Sequence, residues 1–403
     1  MAILFYILAA ALIYFSYRSF RGGIDYLNYF KRELARPLAD YSPPATIFAP
    51  CRGVDPGLLE NLDALLSQDY ENYEIVFIVD DENDPATGVI EKAWREARRQ
   101  VKLVVAPKAT DSSQKVANLR EGVDYADPES RVFVFVDSDV RPSTNWLRNL
   151  IEPLNEDQVG AATGYRWFIS RRETFASEMR NMWNASIASA LGPNRKTNFC
   201  WGGSTAIRRD VFERLDIRER WNGTLSDDFT VTRVMNEAGL DIYFVPRALT
   251  ASVHDCSIGE LLEFTTRQMK ITRVYSPKLW IISFVGSGLF IAVMLSAILI
   301  MILSARNDLT VVVAMFTILT VTVFSIGKSW LRLKAVNLVL DKYRTKLRRQ
   351  MLPQITLWSL APALFFFNSF AAWISRCVTW RGIVYEMISP NETRIINKIR
   401  SKK

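Results

Sequence analysis

The chain has 403 residues, 49% apolar and 23% charged, with Lys+Arg 50 against Asp+Glu 42 and a formal charge of +8. Those averages suit a soluble protein, but charges are sparse from Trp280 to Ile374 outside one basic loop, while residues 18–273 read as water-soluble. This distribution excludes intrinsic disorder, a small disulfide scaffold and a purely soluble enzyme. The basic excess lies beside the apolar segments and suits anionic lipid head groups. A nucleic-acid partner is not expected, because no basic stripe with interleaved aromatics marks the soluble part.

In chain order, Ala2–Tyr17 is an apolar run followed by Arg18 and Arg21. Charge after the run rather than before it predicts an uncleaved anchor over residues 1–17, its far end cytoplasmic. Residues 18–39 read as a juxtamembrane linker. Residues 40–278 then alternate apolar strands (Ala45–Ala49, Glu74–Val79, Lys102–Ala106, Arg131–Val136) with helical spacings (Pro56–Ser67, Ala86–Gln100, Ser113–Gly122). Such alternation predicts a mainly parallel sheet covered on both faces, with ligands beyond the carboxyl ends of its strands. Glycines at Trp201-Gly202-Gly203 mark a close backbone approach, and Ser226 is the expected N-cap of a helix starting at Asp227-Asp228.

Leu279–Ser304 and Leu309–Ile326, split by Arg306-Asn307-Asp308, read as a transmembrane hairpin over residues 279–327. Residues 328–350 are rich in Lys and Arg; apolar Leu331, Leu333, Val336, Leu338, Val339 and Leu340 predict a helix lying in the interface. A last run over residues 351–375 is interrupted by Pro362, and a basic tail over residues 376–403 carries Arg376, Arg381, Arg394, Lys398, Arg400, Lys402 and Lys403. Four full spans would put that tail outside, against the positive-inside tendency. A re-entrant segment bent at Pro362 returns it to the cytoplasm, and is the reading preferred here.

The chemistry lies in the acids. Cys51, Cys200, Cys256 and Cys377 form no CxxC pair, so no disulfide framework is expected, and His254 is the single histidine. Ser-His-Asp hydrolysis and His-rich zinc sites have little to work with. Carboxylates at strand ends favour hard ions, Mg²⁺ or Mn²⁺. Asp80-Asp81 and Asp137-Ser138-Asp139 both end apolar strands, where paired carboxylates repel unless a cation joins them. Alternation along extended chain lets Asp137 and Asp139 face one ion. No GxGxxG follows the first strand and no GxxxxGK[ST] occurs, so a Rossmann dehydrogenase or P-loop nucleotidase lacks its phosphate cradle.

Particular stretches resemble the ceramide glucosyltransferase family of membrane-bound family 2-type (GT-A) glycosyltransferases. They are Arg52-Gly53-Val54-Asp55-Pro56, Asn61-Leu62, Asp69–Glu74, Val79–Pro85, Lys115-Val116-Ala117-Asn118-Leu119, Asp137-Ser138-Asp139 and Ser226-Asp227-Asp228. The resemblance covers about residues 40–280 and implies an α/β GT-A catalytic domain beside transmembrane helices. It implies nucleotide-sugar contacts from Asp81, Lys115, Asn118 and Asp137, a metal on Asp139, and Asp228 as the base, with Trp201 and Asp227 near sugar or acceptor. At the fourth motif the family has Gln or Arg, two residues, then Arg-Trp. Here Arg267-Gln268-Met269-Lys270-Ile271 keeps Arg267, has Lys270 for the second Arg and loses the aromatic ring.

The expected activity is inverting transfer of a hexose, with glucose the expected sugar, from a UDP-sugar to the hydroxyl of a membrane lipid such as ceramide. The wider family also glycosylates diacylglycerol and hopanoid lipids, and those acceptors stay open, as does a processive polysaccharide synthase. The expected location is an integral membrane protein with a cytoplasmic catalytic domain, in a bacterial inner membrane or, in a eukaryote, the Golgi or ER membrane.

Overall fold

The apolar runs at Ala45–Pro50 (β1), Tyr73–Val79 (β2), Gln100–Val105 (β3) and Val132–Phe135 (β4) form strands in the computed structural model, which describes residues 2–95, 97, 99–304 and 308–398. Val159–Phe168 (β5), Thr205–Arg208 (β6) and Asp241–Ser252 (β7) complete a seven-stranded sheet in the order β3-β2-β1-β4-β6-β5-β7. β6 pairs antiparallel with both β4 and β5, and every other pairing is parallel, so β6 alone runs backwards. This is the α/β GT-A arrangement.

β2 and β4 are buried throughout, which explains their unbroken apolar composition. On one face Phe48, Ile78, Phe133 and Phe135 pack with Val116 and Leu119 of the helix Gln114–Gly122, Val231 and Val234 of the helix Asp227–Glu237, and Trp221. Ser113 and Ser226 cap those two helices, accepting from Val116 N and Phe229 N.

The chain divides into two compact units. The sheet belongs to the one made of Arg32–Arg171, Ala190–Asp255 and Arg376–Lys403; the other comprises Met1–Lys31, Arg172–Ser189 and Cys256–Ser375. In the second unit, the helices Pro277–Leu303 and Leu309–Asn337 are long and apolar enough to cross a membrane, as is Ala2–Ala35, whose start lies here. Ile282, Val285, Leu295, Val312, Phe316 and Leu319 are exposed on these helices, the apolar surface that a membrane-crossing helix requires.

Several boundaries differ from expectation. The first helix does not stop at Tyr17 but runs to Ala35. Its Gly23 lies so near the helix Leu309–Asn337 that an added Cβ would sit 3.3 Å from Lys328 Cα, so the glycine serves close helix packing. Residues 328–350 are not one interfacial helix. The helix that starts at Leu309 continues to Asn337, burying Leu331, Leu333 and Val336 against protein, and a short helix Arg344–Arg349 follows. The last run breaks into Met351–Ser359 and Ala361–Ile374, bent by 58°, the geometry of a broken span or a re-entrant loop. Pro362 sits in the first turn of the second piece, where its missing N–H costs nothing.

The expected basic tail is a three-stranded antiparallel sheet of Cys377–Trp380 (β8), Ile383–Ser389 (β9) and Glu392–Lys398 (β10). Period-2 burial of Ile383, Tyr385 and Met387 accounts for it. The basic residues Arg400, Lys402 and Lys403, and the turn at Arg306-Asn307, lie outside the described residues.

Candidate active site

The carboxyl ends of β1, β2 and β4 deliver residues 51–56, Asp80-Asp81 and Asp137–Asp139 to one edge of the sheet. Reversed β6 begins at that edge, since Thr205 pairs with Phe135, and so brings Trp201-Gly202-Gly203 alongside. The N-terminus of Asp227–Glu237 completes the group. The sequence of these loops is local, but their meeting depends on strand order.

Lys115 stands at the centre. Its Nζ lies 2.7 Å from Asp137 Oδ1 and 3.1 Å from Asp227 Oδ2, and donates to Gly202 O at 3.4 Å. A Cβ on Gly202 would come within 2.4 Å of Asp227 Oδ2 and 2.6 Å of Lys115 Nζ, so only glycine admits this arrangement. Arg166, on β5, joins the DxD pair: Nη1 donates to Asp139 Oδ2 at 2.8 Å and Nη2 to Asp137 Oδ2 at 3.3 Å. Its guanidinium lies 4.7 Å over the Trp201 ring. The two acids thus do share one cation, but it is an arginine of the chain.

Burial sets the electrostatics. It pushes the Asp139 carboxyl up, but Arg166, His254, Arg381 and Lys115 outweigh it and hold that group below the usual carboxylate range. For Asp227 burial wins: despite Lys115 its carboxyl is raised, with Asp228 and Asp137 adding like-charge repulsion. Burial also opposes the Lys115 charge, yet Asp137, Asp227 and Asp228 hold it protonated. Asp139 Oδ1 is buried and, among the described residues, accepts no hydrogen bond.

Asp228 differs from its neighbour. It is half-buried, and Oδ2 accepts from Gly202 N at 3.2 Å, while Oδ1 accepts from Phe229 N at 2.8 Å and from Ser226 Oγ.

At the β2 end, buried Asp80 lies 3.2 Å from Arg52 Nη1 and 3.1 Å from Lys108 Nζ. Asp81 is half-exposed; the Asn83 amide at 3.1 Å, and then Lys108 at 3.2 Å, hold its carboxyl below the usual range. Asn118 is buried behind the site, where its Oδ1 accepts from Gln114 Nε2 at 2.9 Å. Trp201 is 7% exposed and its amide donates to Thr163 Oγ1 at 3.0 Å. His254 packs edge-on to Phe168, ring centroids 5.4 Å apart.

The structure therefore brings Lys115, Asp137, Asp139, Trp201, Asp227 and Asp228 together, with Asp81 at the neighbouring strand end. Arg267 and Lys270 lie on the helix Ile258–Tyr275 of the other unit, Arg267 over the Phe264 ring at 5.8 Å. Sequence reasoning missed Arg166, Arg52 and Lys108. A charged residue between Tyr165 and Trp167 was the available signal for Arg166. Among the described residues no group of three or more His, Cys, Asp or Glu side chains gathers as a metal site. Asp139 still fits a cation, because its Oδ1 is a buried acceptor left over and oxygen is the donor a hard ion takes.

The chain is similar to a ceramide glucosyltransferase of Komagataella phaffii, 26% identical over 159 residues covering 38% of this chain and 30% of that one. It is similar to an N-acetylglucosaminyltransferase of Mesorhizobium japonicum, 27% identical over 251 residues covering 59% of this chain and 57% of that one. These matches span about a third to just over half of the curated relatives' own lengths. A solved mannosyltransferase of Pyrobaculum calidifontis, in complex with GDP-mannose and Mn²⁺, overlays with a TM-score of 0.44 at 16% identity, covering 90% of this chain and 99% of that one. The family described as Glycosyl transferase family 21 matches residues 3–393, from the first helix to the start of β10, and the chain belongs to it.

Proposed function

We propose that the protein moves a hexose, with glucose the expected sugar, from a UDP-sugar to the hydroxyl of a membrane lipid, ceramide first among the acceptors and diacylglycerol or a hopanoid the alternatives. The observation that carries this reading is the division of labour between adjacent acids. Asp227 is buried against Lys115, whereas Asp228 is half-buried and held in place by two backbone N–H donors at a helix start.

On this reading the acceptor hydroxyl attacks the anomeric carbon directly, and the sugar–phosphate bond breaks as the new glycosidic bond forms. Asp228 takes the hydroxyl proton. Gly202 N and Phe229 N fix the carboxylate for that task. Lys115 and Arg166 hold Asp137 and Asp139 in place, and Asp81 accepts from the uracil or ribose. Asp139, with Asp137 beside it, is where Mg²⁺ or Mn²⁺ would bind. When bound, such an ion would neutralise charge on the leaving diphosphate. Arg267 and Lys270 are proposed as further cations toward it, and Trp201 and Asp227 as contacts near sugar or acceptor. The catalytic domain is proposed to face the cytoplasm, where Arg18 and Arg21 place the end of the first apolar run.

Mass spectrometry of lipids from cells expressing the chain tests this. The expected result is a new hexosyl lipid that is absent with Asp228→Asn. A product heavier by an N-acetylhexosamine would change the sugar, and a soluble polymer with no new lipid would refute lipid transfer.

A further inference from the structure

The hairpin β8–β9 turns in the two residues Arg381-Gly382, between paired Trp380 and Ile383. Both have positive φ, 51° and 76°, the backbone of a type I′ turn. Asn or Asp is the usual first residue there, because the left-handed region strains other side chains by roughly 1–2 kcal/mol. Arginine is thus a poor choice for the turn itself, and its side chain explains it better than its backbone does.

That side chain reaches the loop after β1. Arg381 Nη1 donates to Asp55 Oδ1 at 2.8 Å, and Nη2 to Asp55 Oδ2, a bidentate fork. Asp55 occupies one edge of the guanidinium; the remaining N–H groups have no acceptor among the described residues, and the side chain stays 41% exposed. Burial opposes its charge, but Asp55, Asp139 and Asp137 outweigh this and hold it firmly protonated, so the DxD acids are within its field.

The rest of the small sheet is anchored at the same edge. Buried Tyr385 accepts through its hydroxyl from Gln114 N at 3.1 Å, one residue before Lys115. Asn391 accepts from Arg233 at 2.6 Å on the helix that begins at Asp227. Gly223, at φ 73°, lies against Asn391 O so closely that a Cβ would come within 2.3 Å.

We propose that Arg381 is a donor-binding residue, carried into the site by the C-terminal hairpin and pre-oriented by Asp55, and that its open N–H groups take the diphosphate of the sugar nucleotide. This rests on the sugar-nucleotide reading above. It gives the sheet unit a guanidinium of its own for the diphosphate, in a chain where the fourth motif has Lys270 and lacks its aromatic residue.

The test is equilibrium titration of the purified full chain in detergent with UDP and, separately, uridine, beside thermal unfolding of each variant. Arg381→Ala should weaken UDP by about tenfold or more, the loss of a charge-assisted hydrogen bond, while uridine binding is unchanged. Arg381→Lys, which keeps the charge without the fork, should fall between; it carries the test if the alanine variant does not fold. Equal UDP affinity in wild type and Arg381→Ala overturns the proposal. So does an equal loss for UDP and uridine, which would make the residue structural. A wild type that binds neither probe instead removes the sugar-nucleotide reading, and this inference with it.

Discussion

Two charged clusters share one edge of the sheet and are built on opposite terms. At the centre, Lys115 and Arg166 are interleaved with Asp137, Asp139 and Asp227, largely out of water. At the rim, Arg381 and Asp55 form one pair with the guanidinium 41% exposed. A central charge that loses its partner is stranded in a low dielectric, whereas a rim charge is resolvated. The centre is therefore expected to hold geometry, and the rim to remain free to take a ligand beside its partner.

The largest expected effect is at the centre. Lys115→Met leaves Asp227 without its cation and Asp137 with Arg166 alone, and breaking a buried pair of this kind costs roughly 3–5 kcal/mol. Denaturant unfolding measures it, and a loss below about 1 kcal/mol would mean that the centre behaves like the rim. Next comes Asp228→Asn, which should lower turnover by roughly 10²-fold or more while leaving UDP affinity nearly unchanged; near-normal turnover would move the base to Asp227. Asp139→Ala should weaken UDP-sugar binding and erase its dependence on Mg²⁺ or Mn²⁺, read as dissociation constants with and without chelator. Full activity of the wild type in excess chelator would leave charge stabilisation to the protein's own cations. Smallest of all, Arg381→Ala should lower folding stability by less than about 1 kcal/mol, as exposed pairs do; a larger loss would erase the contrast between rim and centre.

The same contrast explains what could be read from the sequence. β1, β2 and β4 are buried on both faces, so their apolar runs announce them, and the acids that end them stand out. β5 and β7 carry Gly160, Gly164, Pro246 and Arg247, and their pairing shifts register, so no clean run or alternation marks them. Arg166 became a partner of Asp137 and Asp139 only once reversed β6 set β5 two places from β4. Lys328–Val336 has the spacing of an interfacial helix, but its apolar face found protein instead of lipid, a choice that periodicity alone does not make. Alternating Ile383, Tyr385 and Met387 after Arg381-Gly382 spell a hairpin, a signal that the density of positive charge around it masks.

The central claim is a single displacement in which Asp228 removes the acceptor proton and no covalent sugar–enzyme intermediate forms. Proton NMR of the lipid product made from α-linked UDP-sugar tests it most directly. The account predicts a β-linked glycolipid, its configuration inverted; an α-linked product would contradict it.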